Sequence, residues 1–239
     1  MWYFALLLSL FFVSCSHKSP RQKDNSSAYV ITRASRTPPK STAETFKAPR
    51  PGIERPVLVV IDPGHGGESL GTKTVTLPHV CEKTLALQCS LQVEQFLRDW
   101  GYQVRMTRKK DESVPLQKRV QIAKGGTFFV SIHFNHAPNA EASGVEVFYY
   151  NCPRDPHRTD ASKMLSQHIL RFIVRETDCF SRGVHAGNFH VIRENTIPAV
   201  LVEGGFCSNV VESRKLQDPK YIKKLAFGIA RGIDSFASR

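Results

Sequence analysis

Val57-Leu58-Val59-Val60-Ile61 runs directly into Asp62-Pro63-Gly64-His65-Gly66-Gly67. A stretch of β-branched and aliphatic residues that halts at Pro and Gly reads as a buried strand opening into a tight loop. One histidine stands at the tip of that loop, which is how a metal ligand is presented; an exposed turn histidine is the plain alternative. The theme recurs along the chain. Further strand-like runs cover Tyr102–Thr107, Phe128–Phe134, Val145–Tyr150, Phe189–Arg193 and Val200–Glu203. Helical patterns cover Lys83–Trp100, Leu116–Lys124, Ala161–Glu176 and Pro219–Phe236. This alternation predicts an α/β fold over 56–239, a single domain with a mixed, mostly parallel central sheet covered by helices on both faces. Ligands of such sheets sit in the crevice at the strands' carboxyl ends, and His65, His133 and Glu203 all lie at or just after such an end.

The stretch before the domain has a different character. Trp2 to Val13 is an apolar run of twelve residues, short of the roughly 20 needed to span a bilayer and suited to the core of a secretory signal. It ends in Phe12-Val13-Ser14-Cys15, which resembles a bacterial lipoprotein processing box. Residues 1–15 therefore read as a signal peptide ending at a possible lipid-bearing Cys15, with export to the periplasm and tethering at a membrane surface as the expectation. Residues 16–55 are rich in Ser, Thr, Pro, Lys and Arg and too poor in apolar groups to offset the entropy of ordering, so they read as a disordered basic linker. Nine Lys/Arg against three Asp/Glu fall before Pro56, so half of the +12 net charge lies outside the domain. A basic tail near a membrane suits anionic lipid or an anionic wall polymer, and a solvated linker is its plain reading. Nucleic acid is disfavoured as a partner by the export signal, and no basic-aromatic recognition motif appears. Cys81, Cys89, Cys152, Cys179 and Cys207 show no C-x-x-C spacing, so free thiols are expected rather than a zinc knuckle.

Three residues offer metal chemistry when taken together. His65 and His133 come from two strand ends, the latter in Ser131-Ile132-His133-Phe134-Asn135, and Glu82 opens the helical stretch after Val80-Cys81. Each alone has a structural explanation: a core histidine, or an acid favoured by a helix dipole. Two histidines and one carboxylate nevertheless make a catalytic zinc set with its fourth position open. Glu203 follows the apolar strand Pro198-Ala199-Val200-Leu201-Val202 and precedes Gly204-Gly205-Phe206, so its carboxylate emerges from a buried environment and needs a partner. A water activated by the ion supplies one, with Glu203 as the general base; a structural acid paired with Arg or Lys is the alternative.

These four segments, in order and spread over 56–239, resemble the signature blocks of the zinc-dependent N-acetylmuramoyl-L-alanine amidases. The resemblance implies one Zn2+ held by His65, Glu82 and His133, with Glu203 as catalytic acid/base. It implies hydrolysis of the amide joining N-acetylmuramic acid to L-alanine in peptidoglycan or muropeptides, in cell-wall remodelling, septum splitting or recycling. Some regulated members carry a helical insertion that plugs the zinc site. Here 36 residues, Asn151 to Ala186, separate Tyr150 from the strand expected at Gly187-Asn188, so an open site is expected.

Two other readings compete. His79-x-x-Glu82 has the spacing of a metallocarboxypeptidase ligand pair, which would move the action to a stem-peptide terminus. A membrane-tethered protein that grips peptidoglycan without cleaving it would keep the fold. Serine-peptidase chemistry is disfavoured further, since Ser-x-x-Lys, Lys-Thr-Gly and Gly-x-Ser-x-Gly are all absent. Asn135 and Arg193 are candidate substrate-binding residues, for a peptide amide and a stem-peptide carboxylate respectively. Asp62 either orients a ligand histidine or caps the turn. His136, His157, His168, His185 and His190 carry no spacing signal. Neither the preferred stem peptide nor a protein activator is legible.

Overall fold

The computed structural model describes residues 57–239; the expected leader at 1–15 with Cys15, the linker at 16–55 and Pro56 lie outside the described residues. In chain order the elements are β1 (Leu58–Pro63), α1 (Glu82–Asp99), β2 (Gln103–Met106), α2 (Leu116–Ala123), β3 (Phe128–Asn135), β4 (Val145–Tyr149), α3 (Pro156–Thr177), β5 (Ser181–Ala186), α4 (His190–Arg193), β6 (Ala199–Phe206), α5 (Val210–Leu216) and α6 (Pro219–Ala237).

The strands form one sheet in the order β2-β1-β3-β6-β4-β5. β2, β1, β3 and β6 run parallel, whereas β4 meets β6 antiparallel and pairs β5 parallel. From β1 the chain crosses through α1 to β2 on one side, while β3 lies on the other. The strand order therefore reverses at β1, and a crevice opens at the carboxyl ends of β1 and β3.

Side chains alternate between the two faces, as a pleated strand requires. Val59, Ile61, Val130, Ile132, Val200 and Val202 point into a large core shared with α1, α3 and α6. Val60, Phe129, Ala199 and Leu201 point the other way, into a smaller core closed by Ala123 of α2 and by Val191 and Ile192 of α4. Helices thus cover both faces, as the pattern predicts.

Four elements depart from the sequence reading. Phe189–Arg193 is not a strand: His190–Arg193 is the short helix α4, which buries the adjacent Val191 and Ile192. The edge strand is instead Ser181–Ala186, a polar segment that pairs only with β4. Helix α5 is capped by the Asn209 side chain, which accepts from the Val211 and Glu212 backbone nitrogens. Helix α3 also begins earlier than the periodicity suggests, because Asp155 caps it and Pro156 occupies its first turn. The stretch Asn151–Ala186 is accordingly a core helix and an edge strand, with Leu165, Ile169 and Ile173 packed in the larger core.

Candidate metal centre

Strand β1 hands over to its loop at Gly64, whose N–H donates to the Ile132 carbonyl at 2.9 Å and so continues the pairing with β3. Glycine is required there, since a Cβ would lie 2.4–2.6 Å from the His133 ring. His65 follows in the left-handed region at φ 58°, a conformation that costs a non-glycine residue roughly 1–2 kcal/mol. Ser69 Oγ engages His65 Nδ1 at 2.9 Å, which leaves Nε2 facing Glu82 Oε1 at 3.1 Å. His133 comes from β3, and its Nδ1 lies 2.9 Å from the same Oε1. The two imidazoles meet edge to face, with ring centroids 5.0 Å apart.

Glu82 is the first residue of α1, where the helix dipole favours an acid. Its Oε1 also accepts from Phe134 N at 3.1 Å, and its Oε2 from Thr72 N at 3.0 Å. Gly71, at φ 66°, lets the loop pass close by; a Cβ there would sit 2.4 Å from Glu82 Oε2. Burial opposes ionisation of Glu82, but hydrogen bonds and charge from His133 and His65 prevail and hold it well below the usual carboxylate range.

The donor atoms of His65, Glu82 and His133 lie within 4.8 Å of one another. Two imidazoles and one carboxylate suit a borderline-soft divalent cation, whose donors at 2.0–2.2 Å bond lengths stand about 3.3 Å apart in a tetrahedron. Contacts of 2.9 and 3.1 Å are close to that spacing, so the residues fit. His79 is elsewhere: its Nδ1 bonds the Thr74 carbonyl at 2.7 Å, so the carboxypeptidase-like pair does not assemble.

Glu203 lies on β6 in register with His133 of β3 on one side and Glu146 of β4 on the other. The residue as a whole is partly exposed, yet its Oε2 is sealed from solvent and has no hydrogen-bond partner in the protein. Such an orphaned acceptor costs about 1–3 kcal/mol unless a water or substrate completes it. Burial, then the charges of Glu82 and Glu146, push its carboxyl well above the usual range.

The remaining expected residues are placed as follows. Asn135 Nδ2 donates to Glu146 Oε1 at 2.7 Å while its Oδ1 accepts from His136 N, so its amide is engaged within the protein. Arg193, at the end of α4, pairs with Glu194 at 2.7 Å and donates to Asn188 Oδ1. Asp62 touches neither histidine ring. It accepts from Thr107, Ser131 and Arg119 at 2.5–2.7 Å, and Arg119 in turn donates to the His65 carbonyl at 2.6 Å. The five cysteines of the described residues are free thiols.

Sequence reasoning missed Arg108, Arg119 and Glu146, all buried near the centre. Contacts from a guanidinium to backbone carbonyls carry no periodic signal; only the rarity of buried charge marks them, and that needs coordinates. Beside the cluster lies a groove of about 480 Å³, lined among others by His65, His133, Ser113, Pro115, Phe189 and His190. Phe189 and His190 reach it because α4 is a helical turn rather than a strand.

The sequence pattern described as N-acetylmuramoyl-L-alanine amidase matches residues 59–235. An uncharacterized cell wall amidase of Bacillus anthracis is 35% identical over 187 residues, covering 73% of this chain and 34% of that protein. The sporulation-specific N-acetylmuramoyl-L-alanine amidase of Bacillus subtilis is 35% identical over 182 residues, covering 74% of this chain and 67% of its own length. The match thus spans about a third of the first relative and two thirds of the second. Among solved structures, the catalytic domain of CwlV, an N-acetylmuramoyl-L-alanine amidase from Bacillus (Paenibacillus) polymyxa, superposes with a TM-score of 0.70. It is 35% identical, and the match covers 76% of this chain and 98% of that one.

Proposed function

This chain belongs to the N-acetylmuramoyl-L-alanine amidase family, and we propose that it hydrolyses the amide between N-acetylmuramic acid and L-alanine in peptidoglycan with one Zn2+ held by His65, Glu82 and His133. The reading rests on one observation: three donors converge within 4.8 Å of one another, and the register partner of one of them, Glu203, carries a carboxylate oxygen with no hydrogen-bond partner. When bound, the ion supplies Lewis acidity, lowering the pKa of water from 15.7 toward about 7 and polarising a carbonyl. The protein supplies the rest. Ser69 fixes the His65 ring so that Nε2 is the free donor, and Thr72 N and Phe134 N hold the Glu82 carboxylate in place. The Glu203 carboxylate takes the proton of the attacking water as the carbon–oxygen bond forms, then returns it to the amide nitrogen as the carbon–nitrogen bond breaks. Neutralising the Glu82 charge removes one contribution that lifts Glu203, bringing it closer to the ionised form that a base needs. The groove alongside receives the substrate on the side of Phe189 and His190.

The apolar run and Cys15 support an exported enzyme tethered at a membrane surface by lipid, with residues 16–55 as the spacer. The test of the activity is mass spectrometry of products from a defined muropeptide. Release of an intact stem peptide with a free L-alanine amino terminus, lost on chelation and regained with Zn2+, is expected. Cleavage at another bond, or hydrolysis that survives complete metal removal, would overturn the reading.

A further inference from the structure

Between β2 and α2, residues 107–115 contribute no donor to the cluster, yet they grip the loop that carries His65. Arg108 is among the largest fully buried side chains of the described residues. Its Nε donates to Pro63 O at 3.1 Å and its Nη1 to Lys110 O at 3.2 Å. Its Nη2 donates to Gly64 O at 2.7 Å and also to Lys83 O at 2.8 Å. One nitrogen therefore links the residue before His65 to the residue after Glu82.

Asp111 makes the matching link on the other side. Its Oδ1 accepts from Gly67 N at 2.8 Å and its Oδ2 from Lys83 Nζ at 2.7 Å, and Lys83 Nζ also donates to Gly67 O at 2.8 Å. His65 is thus flanked on both sides by ties that end on Lys83, the neighbour of Glu82. Among the described residues Arg108 forms no ion pair: its contacts are backbone carbonyls. The charges of Asp62, Asp111 and Glu112 act on the buried guanidinium from nearby and that of Arg119 opposes them, while its donors are committed to main-chain carbonyls of the His65 loop and of Lys83, which points to positioning.

Resting on the metal reading above, we infer that Arg108 and Asp111 are positioning residues that fix the separation of His65 and Glu82 and so preform the metal centre before an ion arrives. Arg108 holds the carbonyl side of the loop and Asp111 its amide side. Without them His65, already in a left-handed conformation, has its loop released from α1, and ion binding must supply the ordering.

The test measures the affinity of the full chain for Zn2+ by chelator competition, with the absorption spectrum of the Co2+-substituted protein as a second readout. Arg108→Lys keeps the charge and loses the fork; Asp111→Ala removes an exposed side chain and leaves the core alone. Ile173→Val, in the α3 core, controls for a general loss of stability. Both positioning variants are expected to bind Zn2+ about 10–100-fold more weakly and to alter the Co2+ spectrum. Ile173→Val is expected to lower the melting temperature without either change. Wild-type affinity and spectrum in Asp111→Ala and in folded Arg108→Lys would overturn the inference. If Arg108→Lys fails to fold, Asp111→Ala decides. A wild-type chain that binds no divalent cation refutes the metal reading itself, which separates the two failures.

Discussion

Glu203 and His133 are register partners on the adjacent parallel strands β6 and β3. One inter-strand step of about 4.8 Å therefore separates the backbone of a candidate metal ligand from that of the candidate base, and the sheet sets that spacing. Glu203→Gln keeps the shape and removes the basic oxygen. Amidase activity is expected to fall roughly 10²–10⁴-fold while metal content, measured by atomic absorption, stays at the wild-type level.

The same variant should alter the pH dependence of stability in metal-free protein. The folded-state pKa of Glu203 is raised, so the folded chain holds a proton that the unfolded chain releases as pH rises past about 4.5. Stability is then lost with rising pH, by up to about 1.4 kcal/mol per unit, until the folded group also ionises. Urea unfolding across pH 4 to 8 should show Glu203→Gln gaining on the wild type as pH increases. A constant difference would contradict the assignment.

Glu82 carries the opposite sign. Its folded pKa is depressed, so its contribution is complete above the unfolded value near 4.5 and is lost as pH falls toward the folded value. Glu82→Gln should therefore cost stability at neutral pH and progressively less in acid. Together with His65→Ala and His133→Ala it should also abolish metal retention, whereas His79→Ala, whose ring bonds Thr74 O, should retain metal.

Gly64→Ala directs a methyl group into the His133 ring at 2.4 Å. Overpacking of this kind costs about 1–3 kcal/mol, and here it also displaces a donor. Thermal unfolding should show the loss, and metal titration should show weaker binding than the stability loss alone explains.

Asp62→Asn tests the network beneath the loop. Asp62 is fully buried and paired with Arg119 at 2.7 Å. Removing the charge leaves a buried guanidinium without its counter-ion, so equilibrium unfolding should show a loss of about 3–5 kcal/mol.

Much of this was legible in the chain itself. β1, β3 and β6 announce themselves because central parallel strands are buried on both faces and read as unbroken apolar runs. Pro63 and Gly64 mark the end of β1 and so expose His65, whereas His133 and Glu203 lie within β3 and β6, which run on to Asn135 and Phe206, and were located by the apolar runs before them rather than by a stop signal. β5 was hidden because Ser181-Arg182-Gly183-Val184-His185-Ala186 is a largely exposed edge with no apolar face to display. Phe189–Arg193 misled because a five-residue stretch with three apolar side chains, Phe189, Val191 and Ile192, cannot by itself separate a strand from one helical turn. α5 carried a readable signal in Asn209 and Glu212, three residues apart as in a capping box; Glu212 is instead buried, accepting from Gly144 N and Phe206 N. The arginine ties were beyond the reach of pattern, since their acceptors are main-chain atoms that every residue possesses.

The candidate donors come from the turn after β1, the start of α1 and the body of β3. No local fragment contains all three, and they meet only once β3 has docked beside β1. On the metal reading proposed above, an ion would certify finished assembly: a nascent chain whose β1 and β3 have not yet paired would have nowhere to carry it, and hydrolytic competence would wait on that pairing.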